Sequence, residues 1–378
     1  MKRSSFDLKC VVIEYLEGSL SDGGAETLVK DYALLLDKSE FEPIILVDWI
    51  FKDTANYKRL KDSGVRIVSL YPHYSVFWRA VNKFFRNSYI NYKLERVIKR
   101  IKPNVIHAHL ACLNHLCAVK GSLKGVRLLY TCHSEPWFYF DKKPLEQNAA
   151  KELIRDCGLR MIALRDDMRS ELNRRFHVND SIVIRNGIDL TRFKASKSDG
   201  QNVRDELSIP HGAFVVGHIG RFAEEKNHFF LLRVFSEILK MNEESHLLLV
   251  GSGELESSIR DCIKELGVGN NVTILSNRCD IPRLLNSMDV FVFPSLFEGL
   301  GIALVEAQAV GLRCVVSDTV NPEAFVTNRV VLRSLEESPE EWARCALDGT
   351  SFGHYENRLP DYDVKMEVKK LERLYLGE

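Results

Sequence analysis

The sequence is short of extremes. Lys+Arg and Asp+Glu stand at 52 each, so the field that gathers nucleic acid onto a basic chain is missing and no nucleic-acid partner is expected. No apolar run approaches the roughly 20 residues of a membrane-spanning helix, and the run Leu8 to Ile13 is too short for a signal-peptide core. A cytoplasmic location is expected, with any membrane contact peripheral, at the inner face. The nine cysteines contain no Cys-x-x-Cys pair, and no histidine cluster stands at metal-ligand spacing. That excludes a disulfide framework and a zinc site and predicts reduced, buried thiols. The dinucleotide fingerprint is absent too: Gly23-Gly24 lacks its third glycine, so a nicotinamide cofactor is not indicated.

What is present is an alternation. With 378 residues, 45% hydrophobic and 28% charged, the chain can fill two domains of ordinary size. Short β-branched runs (Lys9 to Ile13, Ile44 to Val47, Val65 to Leu70, Asn104 to His107, Leu128 to Thr131, Met161 to Leu164, Ile182 to Ile184) alternate with helix-length amphipathic segments such as Ala25 to Asp37. Nearly continuous hydrophobic strands in a βαβ rhythm indicate parallel sheets covered by helices on both faces, an α/β architecture. The polar, aperiodic stretch Lys194 to Gln201 is expected to link the domains. A second series then follows at Phe214 to Ile219, His246 to Val250, Val272 to Leu275, Val290 to Phe293 and Cys314 to Val316. The expected division is residues 1–194 and 195–360. A terminal helix over 361–378, with apolar Val364, Val368, Leu371 and Tyr375 on one stripe, crosses back to the first domain after Pro360.

Several groups of residues could carry chemistry, each with a plainer explanation beside it. Gly23 and Gly24 stand between the first strand and first helix, where backbone can approach an anion closely; an ordinary tight turn accounts for them as well. Gly220-Arg221-Phe222 with Lys226 puts two cations after a strand, suited to the charge of a diphosphate leaving group, although surface cations are usually just solvated. Glu298, Gly299, Leu300, Gly301 and Glu306 form a glycine-opened helix start flanked by two carboxylates. Such a start offers amides to an anion and acids to sugar hydroxyls. Helix starts favour Glu for dipole reasons alone, but that does not explain the glycines. Gly251 and Gly253 form a GxG turn of the kind that is often structural. His133 ends a first-domain strand, and a lone histidine is more often a hydrogen-bonding partner than a catalyst.

Together these residues resemble glycosyltransferase family 4, retaining enzymes of the GT-B architecture, and most nearly its bacterial capsular and exopolysaccharide branch. The resemblance is carried by Gly23-Gly24, His133, Arg185-Asn186-Gly187-Ile188-Asp189, Gly220-Arg221 with Lys226, and Glu298 paired with Glu306. It implies two Rossmann-like domains facing an interdomain cleft and a nucleotide diphosphate sugar, commonly UDP-linked, as donor. It also implies a saccharide or polyprenyl-linked saccharide as acceptor, with neither metal nor cofactor. By resemblance Arg221 and Lys226 hold the diphosphate, Glu306 the ribose, and Glu298 the donor sugar's hydroxyls. Gly299, Leu300 and Gly301, with Gly251 and Gly253, line the donor, and His133 touches the donor sugar. Gly24 approaches the phosphate, and Gly23 lies toward the acceptor. Retention follows a front-face route in which the leaving phosphate helps deprotonate the acceptor. The chain departs from the pattern at Thr319-Val320-Asn321-Pro322-Glu323, where many relatives carry Gly-Gly-x-x-Glu.

The segment 78–102 is basic (Arg79, Lys83, Arg86, Lys93, Arg96, Lys99, Arg100 and Lys102 against Glu95) and interleaved with Trp78, Phe84 and Phe85. It is read as a contact for an anionic membrane or as a solvated helix face over an aromatic core stripe. Two rival functions remain at this level: a sugar-nucleotide epimerase, which needs a base at the reacting carbon, and a non-catalytic sugar-nucleotide-binding protein.

Overall fold

The alternation resolves into two parallel sheets in the computed structural model, which describes residues 9–21, 23–71, 88–276, 278–349 and 353–378. The first unit comprises residues Met1–Gly187 with Val364–Glu378, and the second Ile188–Asp363.

In the first unit the strands are β1 (Cys10–Ser19), β2 (Phe41–Trp49), β3 (Arg66–Ser69), β4 (Val105–His109), β5 (Arg127–Thr131), β6 (Arg160–Ala163) and β7 (Ile182–Val183). They pair in the order β3-β2-β1-β4-β5-β6-β7. Between them run α1 (Gly24–Leu35), α2 (Ala55–Asp62), α3 (Ser88–Ile101), α4 (Leu113–Ala118), α5 (Pro136–Lys142), α6 (Pro144–Cys157) and α7 (Asp166–Phe176), and α8 (Val364–Leu376) closes the unit from the end of the chain. β1 is longer than the sequence run implied, because Glu14 interrupts the hydrophobicity without interrupting the strand. Val364, Val368, Leu371 and Tyr375 of α8 are all buried, in one cluster with Val12, Tyr32, Phe41 and Val105.

The second unit contains β8 (Phe214–Ile219), β9 (Ser245–Val250), β10 (Val272–Leu275), β11 (Val290–Phe293), β12 (Arg313–Ser317) and β13 (Val330–Arg333), ordered β10-β9-β8-β11-β12-β13. Its helices are α9 (Lys197–Glu206), α10 (His228–Met241), α11 (Glu256–Glu265), α12 (Ile281–Asn286), α13 (Ile302–Ala309) and α14 (Pro339–Leu347). In both sheets the order reverses beside the first strand, at β1/β4 and at β8/β11. Ligands of open parallel sheets bind at such switch points, beyond the carboxyl ends of the strands.

Two boundaries differ from the sequence reading. The units divide at Gly187/Ile188, not at 194, and again at Asp363/Val364. Ile188 pairs with Asp363 in a parallel bridge and Phe193 is already in the second core, so hydrogen bonding and burial commit the chain before its composition changes. The stretch taken as a linker is largely α9: the Ser196 hydroxyl accepts from the Asp199 amide as its cap. Gly200 sits so close to α12 that a β-carbon there would lie 2.1 Å from the Asn286 carbonyl oxygen. Capping and close packing override weak propensity here.

All nine cysteines are free thiols. Among the described residues no helix is long and apolar enough to cross a membrane. Of the basic aromatic segment, residues 78–87 lie outside the described residues; residues 88–101 form α3, which buries Ile90, Leu94 and Ile98 and leaves Arg96, Lys99 and Arg100 exposed.

Candidate functional site

Three loops meet beyond the carboxyl ends of β8, β9 and β11. The first two pack backbone against backbone. The Gly220 amide donates to the Val250 carbonyl (3.0 Å), the Phe222 amide to the Ser252 carbonyl (2.9 Å), and the Leu255 amide to the Phe222 carbonyl (3.0 Å). A β-carbon at Gly251 would lie 1.9 Å from the Gly220 carbonyl oxygen, and one at Gly253 would lie 2.5 Å from that of Phe222. Both positions therefore need glycine for packing, whatever else they do. The third loop is tied on by the Leu296 amide, which donates to the Glu225 carbonyl at 2.8 Å. It is held from behind by the hydroxyls of Ser317 (2.6 Å) and Thr319 (2.7 Å), both donating to the Ser295 carbonyl. Thr319 thus anchors this loop from the turn Thr319 to Glu323, which departs from the Gly-Gly-x-x-Glu pattern. Asn321 caps that turn by accepting from the Glu323 amide at 2.9 Å.

Lys226 and Glu298, 72 residues apart in sequence, form an ion pair at 2.6 Å, with side chains only 15% and 9% exposed. The ammonium also lies 5.2 Å over the Phe293 ring, an added attraction for a partly desolvated cation. Glu298 leads into α13, whose N-cap Gly301 has φ +73°, a left-handed conformation that favours glycine. Glu306 is half-buried in the second turn of α13, while the Leu300 side chain belongs to the core and is not offered to a ligand. The first amides of α13 have no carbonyl one turn earlier to receive them, as at any helix start, and such donors can receive an anion.

Arg221 stands apart from that pair. Its guanidinium bonds Glu225 at 2.8 Å, and the side chain is 63% exposed. The expectation set Arg221 and Lys226 together on a diphosphate; in the structure each cation is held by its own carboxylate, Lys226 by Glu298 and Arg221, on the same turn, by Glu225.

Sequence reasoning missed two histidines beneath the turn. His218 on β8 and His228 at the start of α10 are buried, at 0% and 1% exposure, with ring centroids 4.9 Å apart. His218 Nδ1 lies 2.9 Å from the Val292 carbonyl oxygen and so carries the proton. Neither His218 Nε2 nor either nitrogen of His228 has a hydrogen-bond partner among the described residues. Burial, then the charge of Lys226, pushes His228 down to about 4, and burial, then His228, holds His218 well below its ordinary range. Both rings are neutral at pH 7, so they leave the positive charge of this face to Lys226 and Arg221.

In the first unit, Gly23 is the N-cap of α1, and a β-carbon there would meet the Glu26 carboxylate at 2.5 Å. That carboxylate accepts from the Ser21 hydroxyl at 2.7 Å. A β-carbon on Gly24 would have nothing described within 4 Å, so the approach to this backbone is open. His133 follows β5, half-buried, and joins a buried cluster that the spacing along the chain conceals. His109 Nδ1 lies 2.9 Å from His133 Nε2, and His109 Nε2 lies 3.0 Å from Glu14 Oε2. The Tyr375 hydroxyl donates to Glu14 Oε1 at 2.7 Å. His107 bridges Tyr375 and Thr131, each at 2.7 Å. The readable signal was polarity inside hydrophobic strands: Glu14 in Val11-Val12-Ile13-Glu14-Tyr15, and the alternate histidines of Val105-Ile106-His107-Ala108-His109.

Comparison with known proteins gives a consistent picture. The family model described as Glycosyltransferase Family 4 matches residues 22–192, and that described as Glycosyl transferases group 1 matches residues 199–344. The putative glycosyltransferase EpsF of Bacillus subtilis is 30% identical over 380 residues, covering 96% of each chain. The UDP-Gal:alpha-D-GlcNAc-diphosphoundecaprenol alpha-1,3-galactosyltransferase of Escherichia coli is 29% identical, over 62% of this chain and 63% of that one. Among solved structures, Anabaena HepE in complex with UDP-glucose superposes with a TM-score of 0.71 at 20% identity, over 97% of this chain and 98% of that one; the likeness is one of fold.

Proposed function

The chain belongs to glycosyltransferase family 4 and has the GT-B fold, and from that premise we propose that it moves a sugar from a UDP-linked donor to a saccharide or polyprenyl-linked saccharide in exopolysaccharide or capsule assembly, with retention and without a metal. The observation that carries the reading is the Lys226–Glu298 pair, set against the glycine-opened entrance of α13 at the switch point of the second sheet. The named activity of the Escherichia coli relative and the UDP-glucose held by HepE support the choice of donor and acceptor class.

In this reading Lys226, with Arg221, faces the diphosphate, and Glu306 takes the ribose hydroxyls. Glu298 takes hydroxyls of the donor sugar, assisted by backbone at Gly299, Leu300 and Gly301. As the bond from the anomeric carbon to the phosphate oxygen breaks, negative charge grows on the diphosphate. An ammonium and helix amides already in place stabilise it without reorganising. The acceptor oxygen bonds to the same face of the anomeric carbon, and its proton passes to the departing phosphate oxygen. The protein contributes position and charge. His133 and Gly24 of the first unit are assigned to the donor sugar and the phosphate or acceptor, and Gly23 to the acceptor.

The test begins with a thermal-shift series of UDP-, GDP-, ADP- and dTDP-sugars. Ligand at 100 times its Kd stabilises the folded state by about 2.7 kcal/mol, so a UDP-sugar is expected to raise Tm in a saturable way. The donor so found is then incubated with polyprenyl-diphosphate-linked saccharide in EDTA. Transfer with the donor's anomeric configuration kept supports the proposal. Loss of transfer in EDTA, or an inverted product, refutes the corresponding part. Isomerisation of donor alone identifies an epimerase, and binding without any turnover a sensor.

A further inference from the structure

The first sheet buries three ionisable groups, Glu14, His107 and His109, to which the proposed chemistry gives no role. Glu14 lies opposite His107 in the register of β1 with β4, and His109 lies opposite Leu16, two residues on; the Glu14, His107 and His109 side chains are wholly buried. Each hydrogen bond constrains the next. A carboxylate only accepts, so the 3.0 Å contact from Glu14 requires His109 to carry its proton on Nε2. A neutral imidazole protonated there has only a lone pair on Nδ1. The proton in the 2.9 Å contact between the two histidines therefore belongs to His133 Nε2. His133 is left with an unprotonated Nδ1, and that atom is buried without a hydrogen-bond partner among the described residues.

The rest of the cluster agrees. Tyr375 donates to Glu14 and so accepts from His107 Nδ1, while His107 Nε2 is engaged with the Thr131 hydroxyl; none of these groups can protonate His109 Nδ1. Burial pushes the Glu14 carboxyl up, but the charges and hydrogen bonds of His107 and His109 outweigh it and hold the group at about 2. Burial, then His107, pushes His109 down to about 4 against the pull of Glu14. Burial, then His109 and His107, keeps His133 well below the ordinary histidine range. An ionised Glu14 beside a neutral His109 and a neutral His133 is therefore the state across the neutral range.

We propose that Glu14 and His109 are positioning residues that lock His133 in the Nε2–H tautomer, so that its Nδ1 presents a hydrogen-bond acceptor and takes a sugar hydroxyl, not a phosphate oxygen. Only the owner of that hydroxyl, the donor sugar, rests on the function proposed above. A phosphate oxygen would need an N–H at this position, and the relay removes it. An acceptor held ready and buried is also a reason for an otherwise unexplained unpaired nitrogen.

The tautomer is read directly from long-range proton–nitrogen spectra of the full chain labelled with ¹⁵N-histidine, with His133 assigned by the signals lost in His133→Asn. The expected result is an unprotonated Nδ1 and a protonated Nε2; the reverse overturns the proposal without any other variant. In Glu14→Gln the amide N–H can donate to His109 Nε2, the His109 proton moves to Nδ1, and the two His133 shifts exchange. Unchanged shifts overturn the relay. Should that variant fold poorly, His109→Asn, whose carbonyl can replace Nδ1 as acceptor, is expected to keep the wild-type shifts, whereas His109→Leu populates both tautomers. Identical shifts in the two again overturn the relay. If the tautomer is as stated but His133→Ala transfers sugar at the wild-type rate, the assignment of His133 to the donor fails while the relay stands.

Discussion

At the scale of the residue, the two cations of the second unit differ more than their shared turn suggests. Lys226 is partly buried against Glu298, whereas Arg221 is exposed and bonded to Glu225. Removing one partner of a desolvated pair strands the other, so Lys226→Ala is expected to lower stability by about 2–4 kcal/mol as well as to abolish donor stabilisation. Arg221→Ala should leave stability within about 0.5 kcal/mol, because an exposed ion pair contributes little. Any loss of transfer in that variant therefore reports on the ligand alone. Melting temperature and initial rate, measured side by side, separate the two; an Arg221→Ala protein with unchanged kinetics removes Arg221 from the site.

The buried histidines make a second prediction at this scale. His228 titrates near 4 in the folded chain against an ordinary 6.5. The unfolded state therefore binds the proton first as pH falls. Its contribution to stability is complete above about 6.5 and is lost between there and about 4, a difference on the order of 3 kcal/mol. His228→Gln removes the titration, and the fall in Tm of the second unit over that pH window should flatten. An unaltered slope would assign the acid sensitivity elsewhere.

At the scale of the element, the site depends on how tightly two strand-to-helix turns approach each other. The alternation of strands and helices, and much of the second sheet's extent, could be read from the chain, since buried parallel strands are hydrophobic runs. The reason for Gly251 and Gly253 could not, because a GxG turn looks alike whether it faces a ligand or another backbone. With a β-carbon at 251 only 1.9 Å from the Gly220 carbonyl oxygen, Gly251→Ala must push the two turns apart. It is expected to cost on the order of 3 kcal/mol and to weaken donor binding even in the folded fraction, as titration of Tm with the donor would show. Near-wild-type stability would mean that the turns separate easily.

At the scale of the whole molecule, the chain returns to its first unit through α8. That helix buries Val364, Val368, Leu371 and Tyr375, and Tyr375 supplies a donor to Glu14. Ending the chain at Asp363 should therefore unfold the first unit selectively, exposing Tyr32, Phe41 and Val105 and leaving a buried carboxylate with one donor fewer. The second unit, whose two core clusters do not involve α8, should keep its own melting transition. Hydrogen exchange by segment would show this as lost protection in β1 and β4 with β8 and β11 unchanged.

The fold class, the helical stripe of α8 and the order of the motifs are local or periodic properties, and the sequence alone determined them: a period of hydrophobicity or a glycine after a strand needs no knowledge of what lies far along the chain. The pairing of Lys226 with Glu298, the packing of Gly251 and the histidine relay ending at His133 were decided only by tertiary structure. Each joins residues on different strands or loops. Which partner a charge or proton finds depends on burial and register, and those exist only once the sheets have formed.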